Sequence, residues 1–167
     1  PRFLDRNKRF LTVGAIYLGR NIVLTDEIEA SINESILCWL ATVDDNGVPN
    51  VSPKEVFLSH SSDELLIADI ASPNSVKNIK NNPNVCVSFV HVFKQKGFKV
   101  KGIAQYFKKG DAKYEELFQC IFPITGNTYP VKGVILIKVS NVKPIIAPSY
   151  YLSPNLTEEQ QIQSARK

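Results

Sequence analysis

The chain of 167 residues is poor in the residue types that build metal sites and disulfide frameworks. It contains two histidines, three cysteines, one tryptophan and no methionine. Two histidines cannot form a histidine-rich metal site, and Cys38, Cys86 and Cys120 show no CxxC spacing. We therefore predict no metal ion, and we interpret the cysteines as free thiols in a reducing, cytoplasmic compartment.

Long apolar runs and a strong net charge are also missing. No segment approaches the roughly 18 to 20 apolar residues that a membrane-spanning helix needs. The most apolar early run, residues 10–24, follows several basic residues, but Arg20 interrupts it and no small-residue cleavage site follows, so we expect neither export nor a membrane partner. A net charge of +4 favours anionic small ligands and is weak for a nucleic-acid partner, which we do not expect.

Several motifs that carry chemistry are absent from the sequence. There is no GxGxxG after a strand, no GxxxxGK[ST] and no HExxH. The paired acids Asp44-Asp45 and Glu115-Glu116 fall in a turn and in a helix, where solvated carboxylates are common. The spacing of residues therefore assigns no catalytic acid, base or nucleophile.

Short strands dominate what is present. Helices are predicted over residues 26–35 and 111–122, the second ending before Pro123. Asn46-Gly47 predicts a tight hairpin turn. The strand-like segments are 36–43, 48–58, 65–70, 85–92, 97–107 and 133–139. Hairpin-linked strands with few helices predict a mainly β fold, an antiparallel barrel or sandwich with α decoration.

The segment SPNSVKNIKNNPNV (72–85) predicts a short helix between two prolines, followed by a strand. Ser72 is a suitable N-cap, and Pro73 suits the first helical position. The free N–H groups and the dipole of that helix end would bind an anionic group such as a phosphate, and Lys77 adds positive charge one turn later. The alternative is a surface helix whose cap binds nothing, and the pattern alone leaves both open.

Two neighbouring segments are ambiguous in the same way. Pro49 and Pro53 remove two N–H groups from the strand at 48–58, which predicts an edge or bulged strand beside a binding site, or one that is only protected against edge pairing. In GFKVKG (97–102) the lysines alternate with apolar residues. That alternation predicts a solvated lysine face, an anion-lined cleft or a nucleic-acid surface.

Three stretches in order and in spacing resemble the pyridoxamine 5'-phosphate oxidase-like family of FMN-binding split-barrel proteins. They are LATVDDNGVPNVSPKE (40–55), LLIADIASPNSVKNIKNNPNVCVSFV (65–90) and GFKVKGIAQYF (97–107). The resemblance extends over roughly residues 28 to 140 and is most specific between Ala68 and Phe89. On this basis we divide the chain into an N-terminal extension (1–24), a split-barrel domain (25–144) and a C-terminal tail (145–167).

The resemblance implies a six-stranded antiparallel split barrel that forms a homodimer with FMN between the subunits. The second strand would follow the flavin ring and ribityl chain, the end of the third would flank the flavin, the helix start would surround the phosphate, and the 97–99 segment would approach from the other subunit. The implied cofactor-binding residues are Asn50, Val51, Ser52, Pro53, Lys54, Ala68, Asp69, Asn74, Ser75, Lys77, Asn78, Gly97, Phe98 and Lys99. Lys54 is predicted to lie near the polar edge of the flavin, where a cation favours the anionic reduced form.

Two features distinguish the chain from pyridoxamine phosphate oxidases themselves. Those enzymes carry arginines and lysines where this chain has Asn74 and Ser75, and they end in an aromatic- and arginine-rich segment that residues 150–167 do not resemble. We therefore predict an FMN-dependent oxidoreductase that acts on another substrate. The alternatives are a non-catalytic binder of flavin, haem or another planar anionic ligand, and a basic β module for nucleic acid.

Overall fold

The computed structural model describes residues 24–166, so the predicted N-terminal extension lies outside the described residues except for Leu24. The helices in this range are α1 (Asp26–Glu34), α2 (Pro73–Asn81), α3 (Ala112–Thr125), α4 (Ser149–Leu152) and α5 (Glu158–Ala165). The strands in this range are β1 (Cys38–Val43), β2 (Pro49–Lys54), β3 (Phe57–Ser61), β4 (Glu64–Asp69), β5 (Asn84–His91), β6 (Lys96–Lys108) and β7 (Gly133–Ile146).

The strands form one antiparallel sheet that closes on itself. Its order is β2-β1-β5-β6-β7-β4-β3, so β2 and β3 lie at opposite edges although only Glu55 and Val56 separate them in sequence. The three peptide links from Lys54 to Phe57 span at most about 11 Å. The sheet must therefore curl until its two edges meet, and the predicted mainly β, antiparallel barrel is confirmed.

The described part of the chain has seven strands rather than the six that the family resemblance implied. The segment 48–58, predicted as one strand, divides because its two halves pair with different partners. Lys54 lies opposite Cys38 of β1, whereas Phe57 lies opposite Ile67 of β4. The residues between them turn the corner of the barrel. The prediction that the proline-containing half is an edge strand is confirmed, since β2 pairs with β1 alone among the strands between residues 24 and 166.

Apolar side chains fill two spaces, one inside the barrel and one under α3. Inside the barrel, the ring of Phe89 lies 5.8 Å from that of Phe57 and 6.2 Å from that of Phe98, centroid to centroid. Outside it, Leu117 and Ile121 of α3 are buried against β4 and β7. The polar side chains of β1, β2 and β4 belong to neither apolar layer, and they face α2.

Helix α3 extends three residues beyond its predicted end. It includes Pro123, which was expected to follow the helix, and continues to Thr125. A proline in the last turn removes one backbone hydrogen bond. The turn is closed by the amide of Gly126, which donates to the carbonyl of Phe122 at 2.7 Å.

The C-terminal tail packs against the hairpin between β5 and β6. The ammonium of Lys96 lies 2.8 Å from the carboxylate of Glu158 at the start of α5, and the Tyr150 hydroxyl donates to the carbonyl of Lys94 at 2.8 Å. These contacts tie α4 and α5 to the end of the barrel at which β6 begins. None of the helices between residues 24 and 166 combines the length and the apolar character of a bilayer-crossing segment.

The thiol of Cys38 at the start of β1 is fully buried. Burial raises the pKa of this thiol from 9.0 to about 12, although the nearby Lys54 ammonium opposes the shift. The unfolded chain ionises this group above pH 9, whereas the folded chain keeps it neutral until about pH 12. The difference between the two pKa values therefore stabilises the folded protein fully below pH 9, and this stabilisation is lost as the pH rises toward 12.

Replacing Cys38 by alanine is expected to flatten the pH dependence of stability in alkaline solution. At pH 10.5 the wild-type thiol should have lost about 2 kcal/mol of stability relative to pH 8, and the variant should lack that component. Urea unfolding of both proteins at the two pH values measures the difference. The control Cys120→Ala, which removes an exposed thiol, should keep the wild-type slope. Equal slopes for Cys38→Ala and the wild type would contradict the assignment.

Candidate cofactor-binding site

Strand β2 presents alternating polar and apolar side chains to its two faces. Asn50, Ser52 and Lys54 point toward α2, while Val51 and Pro53 are exposed on the outer face. This alternation follows from the period of two in a strand. Of the residues of this segment that were predicted to bind the cofactor, Asn50, Ser52 and Lys54 therefore reach α2 with their side chains. Val51 and Pro53 do not.

Ser75 of α2 joins the helix to β2. Its hydroxyl lies 2.5 Å from that of Ser52 and accepts a hydrogen bond from the Asn50 amide at 3.2 Å. Asn78, one turn further along the helix, donates to the hydroxyl of Thr42 at 3.1 Å. The Asn50 amide also donates to the Thr42 hydroxyl, at 3.2 Å. Hydroxyl and amide groups therefore line the contact between helix and sheet.

The N-terminus of α2 carries no side-chain cap. Ser72 occupies the N-cap position, but its hydroxyl donates to the Asp69 carboxylate at 2.7 Å and accepts from the Lys54 ammonium. Pro73 is the first helical residue, and no acidic residue lies in the first turn. The first-turn N–H groups and the positive end of the helix dipole are therefore available to an anion.

Asp69, at the end of β4, organises a buried polar network. One carboxylate oxygen accepts from the backbone N–H of Ser72 at 3.1 Å and from its hydroxyl, and the other accepts from the Tyr106 hydroxyl at 3.1 Å. The Lys54 ammonium donates to the Ser72 hydroxyl, which links it to the Asp69 carboxylate, and Lys54 is only 7% exposed. A cation and an anion thus share one hydroxyl group beneath the start of α2.

Burial governs the titration of this network. It lowers the pKa of Lys54 from its ordinary value of 10.5, and the negative charge of Asp69 opposes that change. Burial also raises the pKa of Tyr106 to about 12, and the charge of Asp69 and its hydrogen bond act in the same direction. Tyr106 therefore remains a neutral hydrogen-bond donor at neutral pH.

The other predicted ligands of the helix start lie on different faces of α2. Ser75 and Asn78 are buried against the sheet, and Asn74 and Lys77 are exposed. At 100° per residue, Lys77 lies about 160° from Ser75 around the helix axis. The four residues therefore divide between the buried and exposed faces of α2, and their assignment to the phosphate stays a prediction. Ala68 is buried at the end of β4, directly before Asp69.

Gly97, Phe98 and Lys99 are not brought to α2 within one chain. They lie at the beginning of β6, whereas Tyr106, which contacts Asp69, lies near its end. The seven residue-to-residue steps from Lys99 to Tyr106 extend roughly 23 Å along the strand. The side chain of Phe98 belongs to the barrel interior, and that of Lys99 is exposed on the outer face.

Thr42 and Tyr106 belong to the site and were missed by sequence reasoning. Thr42 lies directly opposite Asn50 across the β1–β2 hairpin, so the predicted Asn46-Gly47 turn and its register could have identified it. Tyr106 had no comparable signal, because its contact with Asp69 joins strands β6 and β4, which are separated by β7 in the sheet.

Comparisons with known proteins agree with this architecture. The family model described as pyridoxamine 5'-phosphate oxidase matches residues 24–143. An uncharacterised protein of Methanocaldococcus jannaschii is 30% identical over 130 residues, which cover 76% of this chain and 85% of that protein. The chain therefore belongs to the pyridoxamine 5'-phosphate oxidase family.

Solved structures show the same split-barrel fold. Group A Streptococcus HupZ is 25% identical with a TM-score of 0.62, and the match covers 71% of this chain and 90% of that one. An FMN-binding protein from Syntrophomonas wolfei is 18% identical with a TM-score of 0.62, and the match covers 74% of this chain and 87% of that one. The fold neighbours thus include a protein whose ligand is FMN.

Proposed function

We propose that this protein binds FMN and acts as an FMN-dependent oxidoreductase. The observation that carries the proposal is the uncapped N-terminus of α2, which opens beside the polar face of β2. Family membership and an FMN-binding fold neighbour support it. The alternative is that FMN is bound without turnover. The same phosphate cradle, formed by the first turn of α2 and the polar face of β2, would then hold it.

The residues present fit a phosphate monoester. The backbone N–H groups of Asn74 and Ser75 lie in the first turn of α2, where a dianion is favoured by both the hydrogen bonds and the dipole. The Ser52 and Ser75 hydroxyls are hydrogen-bonded to each other, so the pair retains one O–H, which the half-buried Ser52 would donate to a phosphate oxygen. Pyridoxamine phosphate oxidases themselves carry arginines and lysines at the positions of Asn74 and Ser75. Because this chain has neutral side chains there, the N–H groups and the dipole of the helix end would supply most of the attraction for the phosphate.

Bound FMN would supply hydride and electron transfer, and the protein would supply orientation and electrostatics. Lys54 places a positive charge under the cradle, held by Ser72 and balanced by Asp69. We propose that this charge favours added negative charge on the cofactor.

We propose that the functional unit is a homodimer. Gly97 to Lys99 lie far from α2 of their own chain, so they would complete a site only across an interface. The outer face of β1 and β2 carries exposed apolar side chains, with Trp39 47% and Val51 56% exposed. Contiguous exposed apolar groups on one sheet face are typical of an interaction surface.

Titration with FMN and with riboflavin tests the proposal. Riboflavin shares the ring and ribityl chain but lacks the phosphate, so it should bind about 100-fold more weakly or worse if the start of α2 holds the phosphate. Quenching of flavin fluorescence measures both affinities. Equal affinities would place the phosphate away from α2, and absence of binding by either ligand would overturn the proposed function.

A further inference from the structure

An apolar pocket lies between the outer face of strands β1 and β5 and the C-terminal helix α5. Its volume is about 630 Å³, which lies within the range of small-molecule sites. Trp39 and Val90 line it from the sheet, and Ile162 lines it from α5. Trp39 is 47% exposed and Phe93, which also lines the pocket, is 38% exposed. Contiguous exposed apolar side chains of this kind are typical of a binding site.

The apolar pocket is separate from the proposed phosphate cradle. None of the residues between 24 and 166 that line it belongs to the polar network at the start of α2. Within β1, Trp39 and Thr42 lie on opposite faces of the strand and about 10 Å apart along it. Trp39 lies opposite Pro53 of β2 and Ser88 of β5, so the pocket adjoins the surface proposed as the dimer interface.

Hydrogen-bond donors gather around the ring of Phe93 at one end of the apolar pocket. The guanidinium of Arg166 lies 5.2 Å from the centroid of this ring and forms no ion pair with another residue between 24 and 166. The ring of His91 lies 6.4 Å from that of Phe93, and its Nδ1 accepts the backbone N–H of Lys94 at 3.1 Å. A neutral His91 therefore carries its proton on Nε2, which makes that nitrogen a donor.

The other charges at this end of the apolar pocket balance one another. Glu34, which lines the pocket, accepts a hydrogen bond from the Lys94 ammonium at 2.7 Å. Glu158 of α5 pairs with Lys96 at 2.8 Å. Two carboxylates and two ammonium groups cancel, so the guanidinium of Arg166 leaves an excess of one positive charge. A ligand with an apolar body and one carboxylate complements both the lining and this charge.

We propose that the apolar pocket binds a small amphipathic carboxylate. Its apolar body lies against Trp39, Val90 and Ile162, and its carboxylate accepts hydrogen bonds from Arg166 and His91. Ile162 and Arg166 are four residues apart and both line the pocket, so the C-terminal tail completes the site. The inference goes beyond the proposed function and does not depend on FMN.

Titration of the full chain with decanoate and with decanol tests the site. Trp39 is the single tryptophan of the chain and lines the pocket, so its fluorescence reports on occupancy. Decanoate should change this fluorescence saturably, and decanol, which lacks the carboxylate, should bind about tenfold more weakly. Arg166→Gln should weaken decanoate binding about tenfold and leave decanol binding unchanged. Arg166 is exposed, so the fold should survive, and thermal unfolding checks this.

The matched control is Lys113→Gln, which removes an exposed positive charge that does not line the pocket. It should keep the wild-type affinity for decanoate. Equal weakening by Arg166→Gln and Lys113→Gln would reduce the effect to net charge and overturn the proposal. Equal binding of decanol and decanoate by the wild type would overturn the role of the carboxylate.

Two other occupants of the apolar pocket are also tested. If a second copy of the chain covers the pocket, decanoate produces no saturable change in fluorescence, and the proposal is overturned. Calorimetric titration with decanoate at saturating FMN tests whether the cofactor occupies the pocket. The affinity should be the same with and without FMN, and displacement of decanoate by FMN would assign the pocket to the cofactor and overturn the proposal.

Discussion

Replacing Asn74 by aspartate is expected to weaken FMN binding about 100-fold while leaving the protein at least as stable as the wild type. Asn74 is exposed at the second position of α2, and aspartate has nearly the same shape. A carboxylate in the first turn favours the helix through its dipole. The same charge repels a phosphate dianion at that helix end by on the order of 3 kcal/mol. Binding and stability should therefore change in opposite directions.

Fluorescence titration with FMN and urea unfolding of the same variant measure the two effects. The matched control is Asn155→Asp, an exposed position in the segment between α4 and α5, which adds the same charge far from α2. It should retain wild-type affinity. If Asn74→Asp binds FMN as tightly as the control does, the phosphate does not occupy the start of α2.

Replacing Asp69 by asparagine is expected to destabilise the protein by roughly 3 kcal/mol. The change leaves the buried ammonium of Lys54 without its counter-charge and takes one of two acceptors from Ser72 and Tyr106. Because the lowered pKa of Lys54 should fall further, the folded protein binds fewer protons than the unfolded chain up to pH 10.5. The loss of stability should therefore shrink as the pH rises toward 10.5.

Urea unfolding of Asp69→Asn and of Asp69→Asn/Lys54→Met measures this interaction. The double variant should be less destabilised than the sum of its two single changes, because removing the cation relieves the unpaired charge. Asp63→Asn is the control, since Asp63 pairs with the exposed Lys138 at 2.7 Å and should matter little. Equal losses for Asp69→Asn and Asp63→Asn would show that the network is not a coupled unit.

Local rules predicted the edge strand and the helix start well because each depends on neighbouring residues. The prolines of β2 exclude it from the middle of a sheet whatever the rest of the chain does. The division between Lys54 and Phe57 escaped prediction because it depends on which strands pair with each half, a tertiary property. The extension of α3 through Pro123 likewise reflects the packing of Ile121 and Thr125, which outweighs one lost backbone hydrogen bond.

In the candidate site, too, features set by neighbouring residues were predicted, and contacts between residues distant in sequence were not. Sequence alone placed Ser72 as a cap, and the structure gives its hydroxyl to Asp69 and Lys54 instead. That exchange leaves the helix end open, which a helix-start pattern does not reveal. Lys77 was predicted to add positive charge one turn after the helix start; it lies on the exposed face of α2, and its role at the phosphate stays a prediction. The roles assigned to Gly97, Phe98 and Lys99 remain predictions that require a second subunit.

The absorption spectrum of the purified protein, with the mass of any released chromophore, tests the central claim most directly. FMN bound at the start of α2 should give flavin bands, a released molecule with the mass of FMN and a spectrum that is restored when FMN is added back to stripped protein. A colourless protein that takes up no added FMN would contradict the account, and the polar cradle between β2 and α2 would then belong to a different ligand.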